Sequence, residues 1–297
     1  MRHRLLIICA CIALGFAAAQ SQLLYRISGN GLEKPSYLFG THHLAPLSIL
    51  DSIPYIYKAL DETDAVTGEI EMAGISQIEM ANRIMPYMLA PADSTLCQVL
   101  PDSVYSRANA SFQSITNMRL ELFEGLCPMA IQTMAAMAMV KEDFSGNEGQ
   151  LDSYLQDEGA KRGKEIMGFE TLEEQASLLY RSASIREQAD ALVKFLDNPD
   201  KEAYNARELN SRYMARDIEG VYALSRQESD DPEFWKRLLT DRNNNWLSKM
   251  PRMMDTRSVL FVVGALHLAG NEGLIEGLRK MGYTVTSLDD RQNCTAE

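Results

Sequence analysis

Two segments near opposite ends of this 297-residue chain share one frame. Residues 38–45 read LFGTHHLA and residues 262–269 read VVGALHLA. Each is a run of strand-forming residues followed by Gly-x-x-His-Leu-Ala. If the chain folds as one unit, the early strand must lie beside the late one, and everything between becomes an insertion. The late strand supports this. Residues 258–263 (SVLFVV) are apolar and rich in branched side chains, the pattern of a strand buried on both faces.

The remaining segments fit such a sheet. Residues 23–27 (LLYRI) and 36–39 (SYLF) read as short strands joined by a turn around Gly29-Asn30-Gly31, and residues 65–72 (AVTGEIEM) as another. Residues 164–169 (KEIMGF) and 283–288 (YTVTSL) complete the set. Helical spacing covers residues 47–60, about 75–160 with interruptions, and about 172–250. Within that, 120–140 is expected to break or kink at Pro128, 172–197 to end at Pro199, and 201–229 to form one helix. Thr171 with Glu174 three residues on has the form of a capping box. The stretch Arg242-Asn243-Asn244-Asn245-Trp246 is expected between helices. The fold class is therefore α/β (or α+β): a mixed central sheet built from both chain ends, with a long helical insertion.

The first residues stand apart. Arg2, His3 and Arg4 precede an apolar stretch over residues 5–18, and Ala17-Ala18-Ala19 offers a small-x-small cleavage site. Residues 1–19 read as a secretory signal peptide, too short to span a bilayer. Residues 20–297 are then one exported domain, periplasmic or secreted, with no stable membrane insertion. Losing Arg2 and Arg4 takes the net charge from −12 to −14. So acidic a chain is a poor partner for nucleic acid. Cys97, Cys127 and Cys294 remain, which permits one bridge, Cys97–Cys127 among the options, and rules out a dense disulfide framework.

The chemistry gathers at the histidines. Without His3, the chain holds only His42, His43 and His267, all inside the matched motifs. Gly40 and Gly264 permit the backbone geometry needed where a strand stops. A histidine three residues on lies at the strand's carboxyl end, where open α/β sheets bind ligands. Side by side, His43 and His267 can share one divalent metal. His42 points elsewhere and reads as a supporting residue. Glu69 and Glu71 have the spacing of one strand face, and two acids there need a cation between them. Glu170 follows another strand, either as a site acid or as a helix-capping group. Arg242 can balance the acids or clamp a substrate carboxylate.

Together, YLFGTHHLAP at 37–46, VTGEIEM at 66–72, GKEIMGFET at 163–171, DRNNNW at 241–246 and VLFVVGALHLAGNEGLIEGLRKMGYTV at 259–285 resemble the TraB/GumN family, related to the TIKI proteases and more remotely to erythromycin esterase and ChaN-like proteins. The resemblance implies a metal-dependent hydrolase fold. It places Gly40 and His43 in the first motif, Gly264 and His267 in the second, and Glu69 at the strand-end acid. Glu170, Arg242 and Asn243 match further polar positions. The expectation that follows is an exported metal-dependent hydrolase, a peptidase by its relatives, acting on a peptide or small molecule. His43, His267 and Glu69 would hold Mn, Co or Zn. Glu170 or Glu71 would serve as general base, and Arg242 would steady the oxyanion or orient the substrate. The alternatives are a non-catalytic haem or small-ligand binding protein of the same fold and an accessory protein of export or conjugation.

Overall fold

The computed structural model describes residues 22–140, 150–228 and 231–288. The expected leader and Cys294 lie outside the described residues. Six strands form one sheet: β1 (Leu24–Ser28), β2 (Ser36–Thr41), β3 (Ala65–Ile70), β4 (Glu165–Glu170), β5 (Val259–Gly264) and β6 (Thr284–Ser287). Their order is β4-β3-β5-β2-β1-β6. β4, β3, β5 and β2 run parallel, while β1 is antiparallel to both β2 and β6. The early and late strands do pair: Phe39 lies opposite Val262, and Thr41 opposite Gly264. β2 is buried throughout, and β5 from Val259 to Val263. That is why these strands carry continuous apolar runs rather than alternation. The mixed α/β fold, with its long helical insertion between sheet strands, is the one expected.

Helices enclose the sheet. The helix Leu151–Lys161 packs on β3, β4 and β5, and its Gly159 lets it approach Val66, which a Cβ there would meet at 2.7 Å. The helix Asp241–Met254 contributes Trp246, Met250 and Met254 to the main core. A second hydrophobic cluster, around Leu96, Phe112, Leu120, Ile131 and Leu192, sits within the helical insertion. Among the described residues, no helix is long and apolar enough to cross a membrane.

Several local expectations are corrected. Arg242–Trp246 is not a connection but lies in the first turns of the helix Asp241–Met254, entered through a π turn at Lys236–Thr240. Tertiary contacts of Arg242, Asn243 and Trp246 override the weak helix preference of three consecutive asparagines. Residues 172–197 form two helices, Leu172–Arg181 and Ile185–Leu196, each opened by a capping box, at Thr171/Glu174 and at Ser184/Glu187. Pro199 starts a helix (Pro199–Met214) instead of ending one, using the first-turn position where its missing N–H costs nothing. That helix stops before Arg216, which has φ 62°, and a second begins at Ile218. Pro128 likewise begins the helix Pro128–Val140 rather than kinking a longer one. Cys97 (exposed) and Cys127 (buried) are both free, so they do not form the bridge considered above.

One buried amide ties the insertion to the sheet's carboxyl edge. Gln156 is fully buried; its Nε2 donates to Ile70 O at 3.0 Å and its Oε1 accepts from Met72 N at 2.7 Å. It crosses β3 at Gly68, where a Cβ would overlap the Gln156 amide and lie 2.8 Å from Ile70 O. Gly68→Ala should therefore cost about 1–3 kcal/mol through overpacking. Urea unfolding of the variant against wild type measures it; an unchanged midpoint would show that Gln156 does not pin this strand end.

Candidate active site

The carboxyl ends of the four parallel strands lie side by side, with Thr41 beside Gly264 and Ile70 beside Glu170. The two histidine motifs leave this edge differently. After Gly264 the short turn Ala265–His267 carries His267 inward, to 3 % exposure, with its ring 4.3 Å from that of Trp246. After Thr41 the His42 ring turns back over Tyr213, and its Nδ1 accepts from Leu44 N at 3.1 Å. Burial pushes the His42 pKa down to about 4, so it stays neutral as a supporting residue. His43 faces outward, its side chain 68 % exposed, with Nδ1 3.4 Å from Asp152 Oδ2.

The motif glycines do a different job from the one expected. Gly264 has φ −54° and ψ 137°, a conformation open to other residues. What it supplies is space: a Cβ there would stand 3.1 Å from Glu69 Oε1, which accepts the Gly264 N–H at 2.8 Å. At Gly40 a Cβ would stand 3.1 Å from Ala265 Cα and 3.0 Å from Leu268 Cδ2. Both glycines allow close approach.

Arg242 is the hub. It is 8 % exposed, and all five of its N–H groups are engaged. Nε donates to Glu170 (3.0 and 3.1 Å), Nη2 to Glu69 Oε2 (2.6 Å) and Glu170 Oε2 (2.9 Å), and Nη1 to Leu238 O (3.3 Å) and His267 Nε2 (3.1 Å). Trp246 Nε1 donates to Glu170 Oε1 at 2.9 Å, while the guanidinium lies 4.7 Å above the Trp246 ring. Phe169 stacks on Trp246, and Phe261 on Phe169. The platform thus joins β4, β5 and the helix Asp241–Met254.

The network fixes the His267 tautomer. Asn243 Nδ2 donates to the carbonyls of His267 (3.2 Å) and Glu272 (2.9 Å), so its Oδ1 must be the atom 2.7 Å from His267 Nδ1. His267 therefore carries its proton on Nδ1 and presents a lone pair at Nε2 to Arg242. Burial pushes the His267 pKa down to about 3. For Glu69 burial acts upward, but the Arg242 charge and the Gly264 N–H act against it and hold the carboxyl below its ordinary range. For His43 the Asp152 carboxylate acts upward, and the water around so exposed a ring limits the shift. With Glu69 and Glu170 ionised, Arg242 charged and His267 neutral, the cluster carries a net charge of −1.

A divalent ion needs ligand bonds of about 2.0–2.2 Å from several donors. His267 Nε2 and Glu69 Oε1 face each other at 3.7 Å, and His43 lines the same cavity. Arg242, however, occupies both: Nη1 bonds the imidazole lone pair and Nη2 the carboxylate. Among the described residues, no three His, Cys, Asp or Glu side chains converge to hold a metal. As arranged, these donors fit a guanidinium and not a metal ion.

The structure brings His43, Glu69, Arg242 and His267 to one cavity of about 510 Å³. Glu170 and Asn243 stand behind them, and Glu170 is an ion-pair partner rather than a helix cap, since Thr171 caps the helix. Glu71 is not among them: β3 ends at Ile70, and Glu71 is exposed beside Arg83 and Thr171 on the far side of Glu170. Two residues escaped the sequence reading. Asp152 is 5 % exposed; its Oδ1 accepts from Thr41 at 2.8 Å, and its Oδ2 has no hydrogen bond and faces His43. Gln175 donates to Glu69 Oε2 at 2.9 Å. Asp152 stands four residues before Gln156, on the helix face that meets the sheet. That four-residue spacing, with each polar residue directly after a leucine (Leu151 and Leu155), was its one legible signal.

A model described as the TraB/PrgY/gumN family matches residues 23–287, and the chain belongs to that family. It is 24 % identical to the metalloprotease TIKI homolog of Amphimedon queenslandica, over 91 % of this chain and 62 % of that protein. It is 23 % identical to metalloprotease TIKI1 of Danio rerio, over 85 % and 61 %, and 23 % identical to metalloprotease TIKI2 of Xenopus tropicalis, over 88 % and 59 %. The chain thus spans about three fifths of the length of these relatives. No solved structure matches it.

Arg242→Met should destabilise the fold by about 3–5 kcal/mol, because it leaves Glu69 and Glu170 buried against each other without a counter-charge. Chemical unfolding checks this. A loss below about 1 kcal/mol, the range of an exposed pair, would contradict the hub.

Proposed function

We propose that this member of the TraB/PrgY/gumN family is an exported hydrolase of the peptidase kind, cleaving amide bonds at the floor of the cavity that His43 and His267 line. The observation that carries the reading is the pairing of a solvent-facing imidazole, His43, with a buried carboxylate, Asp152, beside a rigid polar floor. Names of the relatives support the reaction class. The position agrees with it too, since parallel sheets place ligands outside the carboxyl ends of their strands.

The division of labour follows from which groups are free to act. Glu170 has both oxygens committed to Arg242 and Trp246, and Glu71 lies outside the cavity, so neither serves as general base. Arg242 has no spare donor for an oxyanion. It acts by holding Glu69 ionised and His267 in one tautomer. Glu69 stays a carboxylate at working pH and accepts hydrogen bonds at the cavity floor. His43 is the group that moves protons. With Asp152 facing Nδ1, its Nε2, in the neutral form that grows as pH rises through the raised His43 pKa, takes a proton from the attacking water and returns it to the leaving nitrogen, so that activity rises toward alkaline pH. Asp152 keeps the ring oriented and favours its imidazolium form.

A metal-dependent variant of this reading draws on the 3.7 Å approach of His267 Nε2 to Glu69 Oε1. It requires the Arg242 guanidinium to leave both, and metal analysis decides it.

The test is peptide hydrolysis by the mature protein, purified without a His tag or chelator. His43→Ala should lower kcat/KM by about 10²–10⁴-fold, and Asp152→Asn should lower it less, with both proteins folded. Retention of full activity by His43→Ala would overturn the assignment. A stoichiometric divalent metal that is lost in His267→Ala would replace the Arg242-centred mechanism with the metal-dependent one.

A further inference from the structure

The walls of the cavity differ in character from its floor. Leu44, Leu178, Leu179, Leu209, Leu238 and Leu266 all line it, and each is half-buried. A leucine that packs fully in a core exposes almost nothing, as Leu192 and Leu260 do here. Six leucines left partly open toward one space are apolar surface that water wets at a cost, roughly 25 cal/mol for each Å². They come from separate parts of the chain, so the feature belongs to the cavity and not to one helix. The apolar surface continues past Leu209 and Leu238, which also border a second cavity of about 360 Å³ lined by Phe195, Phe234 and Trp235. The polar groups His43, Glu69, Arg242 and His267 sit together at the floor.

This arrangement selects a ligand. A large apolar group gains by covering the leucines while the reacting bond lies against the floor. A carboxylate is disfavoured twice, by desolvation against the walls and by the net negative charge of Glu69, Glu170 and Arg242. A lysine side chain would lose its hydration with no carboxylate in the walls to replace it.

We propose that the substrate presents a large uncharged apolar side chain, of the leucine, methionine or phenylalanine class, beside the scissile amide, and that the leucine walls select it. The inference rests on the hydrolase reading of the same cavity.

The experiment uses the full mature protein and internally quenched peptides of one sequence, differing only at a residue beside the scissile bond: Leu, Phe, Ala, Ser, Asp or Lys. Leu and Phe should exceed Ala and Ser by about 10-fold or more in kcat/KM, with Asp the poorest. Leu178→Thr, which keeps every floor residue, should shrink the Leu/Ala ratio several-fold while the ratio itself controls for loss of folded protein. Binding of N-acetyl-leucinamide and N-acetyl-serinamide, measured by calorimetry, separates the two claims. Tighter binding of the leucine compound without hydrolysis of any peptide would uphold the apolar subsite and defeat the hydrolase reading. Hydrolysis that favours Ala, Ser, Asp or Lys, or a Leu/Ala ratio unmoved by Leu178→Thr, would overturn the subsite and leave the hydrolase reading standing.

Discussion

A guanidinium buried between two carboxylates is the constraint on which the rest of the site depends. Glu69 and Glu170 end neighbouring parallel strands, and two ionised acids so placed would repel. Arg242 reaches both from a helix and so fixes how that helix lies against the strand ends. Trp246, one turn further along, closes over the guanidinium and bonds Glu170. Asn243, on the same helix, orients His267. Three residues within five positions thus set the charge, the tautomer and the packing of the floor. The π turn at Lys236–Thr240 stands immediately before them, a local irregularity of the kind found near functional sites.

The opposite wall has an equivalent strut. The helix Leu151–Lys161 uses Asp152 to grip Thr41 and face His43 at the end of β2, and Gln156 to grip the end of β3. A single rigid element thereby sets the spacing between the strand end that carries His43 and the one that carries Glu69. Sites held this way, on regular elements rather than loops, keep their geometry through a reaction. The two histidine motifs, alike in sequence, end up in unlike roles. One is locked and neutral beneath an aromatic platform, and the other is open to the cavity with a carboxylate behind it.

Much of this was legible before the structure. The sheet could be read because strands buried on both faces leave uninterrupted branched apolar runs, as residues 258–263 do. The matched Gly-x-x-His frames placed the site at one sheet edge. The types of Glu69, Glu170 and Arg242 were legible, but their mutual contacts were not, since they join residues about 70 to 170 positions apart. Asp152 was hidden by its neighbours: in LDSYLQDEGAK an acid reads as part of a solvated face, and only tertiary packing buries it. The three asparagines before Trp246 misled in the other direction, because side chains that favour turns were recruited into a helix by the contacts they make there. The break at Ser184 could have been read from Glu187 three residues on, the same signal that placed Thr171 correctly.

Burial, with Arg242 beside it, keeps His267 neutral, while Asn243 fixes the proton on Nδ1 and Arg242 engages the Nε2 lone pair. Imidazole ¹⁵N NMR of the purified protein, titrated from pH 8 downward, addresses this directly. His267 should show the Nδ1–H tautomer and remain uncharged below pH 5, well under the ordinary imidazole value, while His43 titrates above that value. A His267 that is protonated near pH 6.5, or that carries its proton on Nε2, would contradict the Arg242-centred site.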